Sequence, residues 1–251
     1  MTKPIQKTSK TRKIYFVRLV GRIMVFLIVG LLYVFRRDEF AIITGWNFFK
    51  RFSPLHILWL IWILDMVLQL MPVKAHISIG SQKVFSSLFR PIKEKINYEN
   101  LKQHIVQTTA SAYIVMVIWV FLNIAVGYLY LKGIIDASTV FMVCTLFYVC
   151  DLICVVIWCP FRLIMGNKCC TTCRIFNWDH LMMFSPFITV AGFYTTTLVL
   201  LSFAIWLVWE ICVFTYPERF WENSNMALRC SECTDKLCTQ YCRKLRQNHM
   251  I

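Results

Sequence analysis

Cys170 and Cys173 are separated by two residues, as are Cys230 and Cys233, and a Cys-x-x-Cys spacing lets two sulfurs turn toward one point. Around these pairs stand Cys159, Cys169, Cys238 and Cys242, so most of the chain's 12 cysteines fall in two short polar stretches. Three chemistries use such a pattern. Thiolates can hold an iron–sulfur cluster, they can hold a structural zinc ion, or a Cys-x-x-Cys pair can exchange a disulfide. Two pairs complete a four-thiolate site if both stretches reach the same side, with Cys159, Cys169, Cys238 and Cys242 as further ligands. The run from Cys230 through Cys233 and Cys238 to Cys242 also suits one local centre. Its spacing partly resembles the bacterial ferredoxin ligand run, but the middle gap is longer and no proline follows Cys242, so the likeness is to a type of ligation. Cysteines with no shared ligand, lipidated near a membrane surface, are the plain alternative.

What must position these thiols is mostly apolar helix. The chain of 251 residues is 58% hydrophobic and 16% aromatic, with only 8 glycines and 7 prolines. Its mean hydropathy is +0.59. These values point to an all-α polytopic membrane protein and argue against disordered or low-complexity regions. A span needs about 20 apolar residues to cross a hydrocarbon core of ~30 Å. Residues 14–35 meet that need if Arg18 and Arg22 extend toward the headgroups, and follow a basic tail (1–13) bearing Lys3, Lys7, Lys10, Arg12 and Lys13. No small-residue cleavage site follows this run, so it reads as a first transmembrane helix and not a removable signal. Residues 55–71, 109–131 and 138–158 supply three more spans. The apolar segment 181–216 contains the fifth; it is too long for one perpendicular helix and carries Pro186 and Gly192, so a break or a re-entrant piece is expected. About five spans result, with four or six as alternatives. The linker 72–108 reads as a basic amphipathic stretch on anionic headgroups, helix-compatible near Phe89–Lys95; the loop 159–180 and the tail 217–251 carry the cysteines.

The net charge of +14 sits in tails and loops between the apolar runs. That distribution sets membrane orientation and attracts anionic lipid, and with no groove-reading module it excludes nucleic acid as a partner. Counting Lys and Arg by loop favours both cysteine stretches in the cytoplasm, at a plasma (cytoplasmic) membrane. The unbroken length of 181–216 argues for opposite sides.

Other polar residues are sparse. Cys144, Cys150, Cys154 and Cys212 lie in apolar runs and read as small core hydrophobes. Asp65, Gln69 and Asp151 lie within spans, where a carboxylate costs at least ~2.5–3.5 kcal/mol, so they should face a bundle interior as a proton path or as helix-joining acids. His104 and His180 suit a bis-histidine haem in residue type, and Asn177–His180 suits a supporting shell around the first cysteine stretch. Glu210 marks the exit of the last span to water. No phosphate loop, dinucleotide fingerprint, nucleophile elbow or zinc-protease motif occurs, so no soluble catalytic domain is expected. The leading expectation is an iron–sulfur electron-transfer relay, acting alone or within a larger membrane complex. A zinc-held scaffold and a membrane thiol oxidoreductase are the alternatives.

Overall fold

In an environment poor in water a backbone must satisfy its own hydrogen bonds, and the apolar runs do so as helices. The structure, a computed structural model, describes residues 10–72, 79–167, 169–229 and 231–232. In chain order the helices are α1 (Lys10–Phe35), α2 (Leu55–Gln69), α3 (Ile79–Gln82), α4 (Tyr98–Leu131), α5 (Ala137–Val156), α6 (Phe161–Met165), α7 (Asp179–Phe184) and α8 (Phe193–Thr215). Four of them, α1, α4, α5 and α8, are long and apolar enough to cross a membrane. The 15 residues of α2 are as apolar but rise only about 22 Å. Among the described residues no β-strand forms; Gly45–Gly192 and Pro91–Asn225 are isolated bridges. Large apolar side chains such as Val17, Leu31, Phe121 and Ile211 stand exposed on the outer helix faces, a surface suited to lipid and poorly suited to water.

Side-chain contacts give each element its direction. Tyr33 on α1 bonds Thr139 at the start of α5 (3.0 Å), while Arg22 reaches Asp151 near its end, so the two run antiparallel. On α2, the first residue, Leu55, accepts from the Tyr194 hydroxyl at the start of α8 (3.1 Å), and the last, Gln69, meets Asp179. Residues 179–192 then run back beside α5, placing Trp62 against Phe184 and Phe141 against Phe187. Over the described residues the chain thus runs from one end to the other six times. The start of α1, residues 79–97, the loop 157–178 and residues 217–232 all gather at one end, which we call the loop end.

The break inside 181–216 has a local cause. Pro186 has no N–H, so the Met182 carbonyl loses the donor that would continue α7. Trp119 Nε1 (3.1 Å) and Ser185 Oγ (3.0 Å) donate to that carbonyl instead. A tight 3₁₀ stretch, Ser185–Thr189, follows. At Gly192 the chain passes so close to Ile43 that an added Cβ would lie 2.0 Å from its carbonyl oxygen. Two backbone bonds, Gly45 N to Ala191 O (2.8 Å) and Phe193 N to Gly45 O (3.0 Å), close this junction.

The linker differs from its expected form. Residues 98–108 belong to α4, which begins where the Asn97 side chain accepts from the backbone of Glu99 and Asn100. Residues 89–97 are not helical. Pro91 holds Arg90 away from helical geometry, and Arg90 pairs instead with residues 225–226.

Candidate functional site

The first cysteine stretch is shaped by its turns. Beyond α5, Cys159 and Pro160 lead into α6, which stops at Gly166 in the left-handed region (φ 57). Asn167 Oδ1 then accepts from Thr172 Oγ1 (3.0 Å) and from the Cys169 amide (3.4 Å), folding Cys170–Thr172 into a 3₁₀ turn. This turn points Cys170 and Cys173 into a cavity of about 290 Å³ whose walls also include Cys150, Cys154 and Cys159. Cys169 does not line the cavity; its sulfur is buried 3.0 Å from Thr171 Oγ1. The core role expected for Cys150 and Cys154 is therefore corrected. They stand one helical turn apart on the α5 face that leads to Cys159, a spacing visible in the sequence. Cys144 stays in the core.

These thiols differ in acidity. A hydrogen bond from Cys154, with backbone N–H groups of Phe161 and Arg162, holds Cys159 below the usual thiol value despite partial burial. Burial pushes Cys170 and Cys173 up. Cys159 is thus the readiest nucleophile of the cavity. All eight described cysteines carry free thiols. Among the described residues, no group of three His, Cys, Asp or Glu side chains is arranged to hold a metal ion. The loop by itself supplies part of a ligand set. Cys230, Cys233, Cys238 and Cys242 lie outside the described residues.

The described start of the tail nevertheless reaches this end of the molecule. Arg219 donates to the Val84 carbonyl (3.1 Å), Met226 N to the Arg90 carbonyl (2.8 Å), and Glu232 faces Arg90 at 3.9 Å. The loop is tied to the same place. Arg174, directly after Cys173, makes two parallel bonds to Glu210 on α8 (2.7 and 2.5 Å). Trp178 Nε1 donates to the same carboxylate (2.8 Å), and Trp209 Nε1 to the Arg174 carbonyl (2.9 Å). Glu210 is buried and fully engaged and not, as expected, a marker of the exit to water. Beside this clamp, Lys83 is buried with Nζ 3.5 Å from the Cys173 carbonyl and 5.1 Å from the Trp209 ring centroid. Burial lowers its pKa to about 7, only partly offset by the Cys173 and Cys169 thiols.

Behind the cavity lies a charge network that sequence spacing does not reveal. Arg22 joins Asp151 (2.5 Å) and Asp65 (3.7 Å) and sits over the Tyr148 ring. His180 faces Asp65 through Nε2 (3.4 Å) and Asp179 through Nδ1 (3.3 Å). Asp151 and Asp179 are shared with the cavity wall. The expected inward placement of Asp65 and Asp151 is met, because each finds a cationic partner. His180 lies between Asp65 and Asp179, whereas His104 stacks on Trp221 (5.6 Å), so the two are not a haem pair. Comparison with protein-family models, with curated proteins and with solved structures finds no match.

Proposed function

We propose that this is a multi-pass membrane protein carrying a cysteine-thiolate centre, iron–sulfur in type, at its loop end, where it relays electrons for a larger membrane complex. The observation that carries this reading is the meeting of the cysteine loop and the tail at one end, through Arg90–Asn225, Arg219–Val84 and Arg174–Glu210. In that arrangement Cys159, Cys170 and Cys173 face inward from the loop, and Cys230, Cys233, Cys238 and Cys242, outside the described residues, are proposed to complete the ligand set. Cys169, turned toward Thr171, is the weakest of the expected ligands. A cluster, when bound, would supply one-electron chemistry; the protein supplies thiolates, the acidic network behind them and exclusion of water.

Orientation supports the iron–sulfur reading over disulfide exchange. The loop end bears Arg12, Lys13, Arg90, Lys93, Lys95, Arg162 and Arg229, whereas the opposite end has Arg36, Arg37, Lys50, Arg51 and Lys132. The more basic end belongs in the cytoplasm, where thiols stay reduced. The four long helices, together with α2 and the broken piece 179–192, then make an even number of passes.

The test is metal and sulfide analysis of the full-length protein purified without oxygen. Iron with acid-labile sulfide and broad visible absorption, lost in Cys170→Ser and Cys233→Ser, is the expected result. Colourless protein with stoichiometric zinc would replace it with the scaffold reading, and metal-free protein would end both.

A further inference from the structure

Next to the cysteine cavity lies a second space, and what divides them is one side chain from each wall. The second is a groove of about 590 Å³ between α4 and residues 178–189, opening on the apolar outer face. Trp119 and Met182 line both spaces. The groove arises from the break already described. Thr189 packs into the notch at Gly127, where a Cβ would lie only 2.7 Å from its methyl group, and pins that end of the segment to α4. At the other end Trp119 props the segment off α4 by bonding the Met182 carbonyl and Ser185 Oγ.

We propose that the groove is a binding site for an uncharged, single-chain amphiphile with a hydroxyl-bearing head, taken from the membrane. Three observations select this occupant. The groove walls, including Ile124, Tyr128 and Ile188, are apolar and face lipid, which suits a chain. Asn123 Oδ1, in the groove, is buried and accepts no hydrogen bond from the described residues, which suits a donor head. Among the described residues the groove lining bears no Lys, Arg or His, so nothing there would pair with an anionic phospholipid head. The groove's volume of about 590 Å³ falls at the scale of small-molecule sites, roughly 300–1,000 Å³.

The experiment is photolabelling of the full-length protein in lipid nanodiscs with a diazirine-tailed monoacylglycerol, beside a phosphatidic acid with the same tail. Peptide mapping should place the neutral probe on residues 116–131 and 178–189, about tenfold above the anionic probe. Ile188→Trp, a lipid-exposed position that would fill the groove, should cut labelling about tenfold, and Asn123→Leu several-fold. Val117→Trp, on an exposed face outside the groove, should leave it unchanged. Equal labelling by both probes, labelling spread around α4, or none would overturn the site. Because Ile188→Trp touches no cysteine, its metal content stays at the wild-type level, so failure of the lipid site and failure of the thiolate centre are read separately.

Discussion

Arg174 and Glu210 meet where neither reaches water, and each would be an uncompensated charge without the other. Breaking such a pair from one side costs about 3–5 kcal/mol, whereas replacing both partners with apolar residues of similar size can be neutral. Arg174→Met or Glu210→Leu alone should therefore lower the midpoint of thermal unfolding in detergent by many degrees, and the double variant should recover most of it. Equal losses in all three would show that the clamp does not hold loop to helix. Lys83 makes a prediction with a definite sign. Its folded pKa of about 7 lies below the unfolded value of ~10.4, so between these limits the unfolded chain binds the extra proton and stability rises with pH. Lys83→Met should flatten that rise and be at least as stable as the parent near pH 7, measured as thermal midpoints from pH 6.5 to 10.5. The residue types of the thiol site were legible as spacing. The partners Arg22–Asp151 and Arg174–Glu210 were not, because nothing local links residues 129 or 36 positions apart.

The helices owe their ends to chemistry that acts within a few residues. Asp136 caps α5 by accepting from Thr139 N (2.8 Å), while Ser138 Oγ and Thr139 Oγ1 also donate to it (2.6 Å each). Those bonds and Arg37 outweigh slight burial and hold its carboxyl below the usual value. The stabilisation is full above the unfolded pKa of ~3.9 and is lost as pH falls through the lower folded value. Asp136→Ala should cost about 1 kcal/mol near pH 7, and Asp136→Asn much less, in chemical denaturation. Gly192→Ala should cost more, since its methyl group meets the Ile43 carbonyl; a variant as stable as the parent would show that the junction yields. That Pro186 and Gly192 interrupt the last apolar run was readable from residue type. Where the freed Met182 carbonyl finds its donor was not, since Trp119 lies 63 residues away.

At the scale of the molecule, the course of the described residues brings four polar segments to one end. Single cysteines introduced at Lys95 and at Lys132, in a background lacking the native thiols, should react with an impermeant maleimide from opposite sides of sealed vesicles. Labelling of both from one side would sink the arrangement. Composition and the length of apolar runs determined that the chain is helical, with helices long and apolar enough for a bilayer, because each helix must satisfy its own backbone there. Cysteine spacing determined which residue types could share a centre. Only the tertiary structure decided that α2 and residues 179–192 both run the length of the bundle, bringing the tail back to the loop. It also decided that Cys150 and Cys154 join Cys159 at a cavity while Cys169 turns away. The physical reason is range: helix formation and turn geometry act over a few residues, whereas the return of the chain rests on packing and ion pairs between residues far apart in sequence.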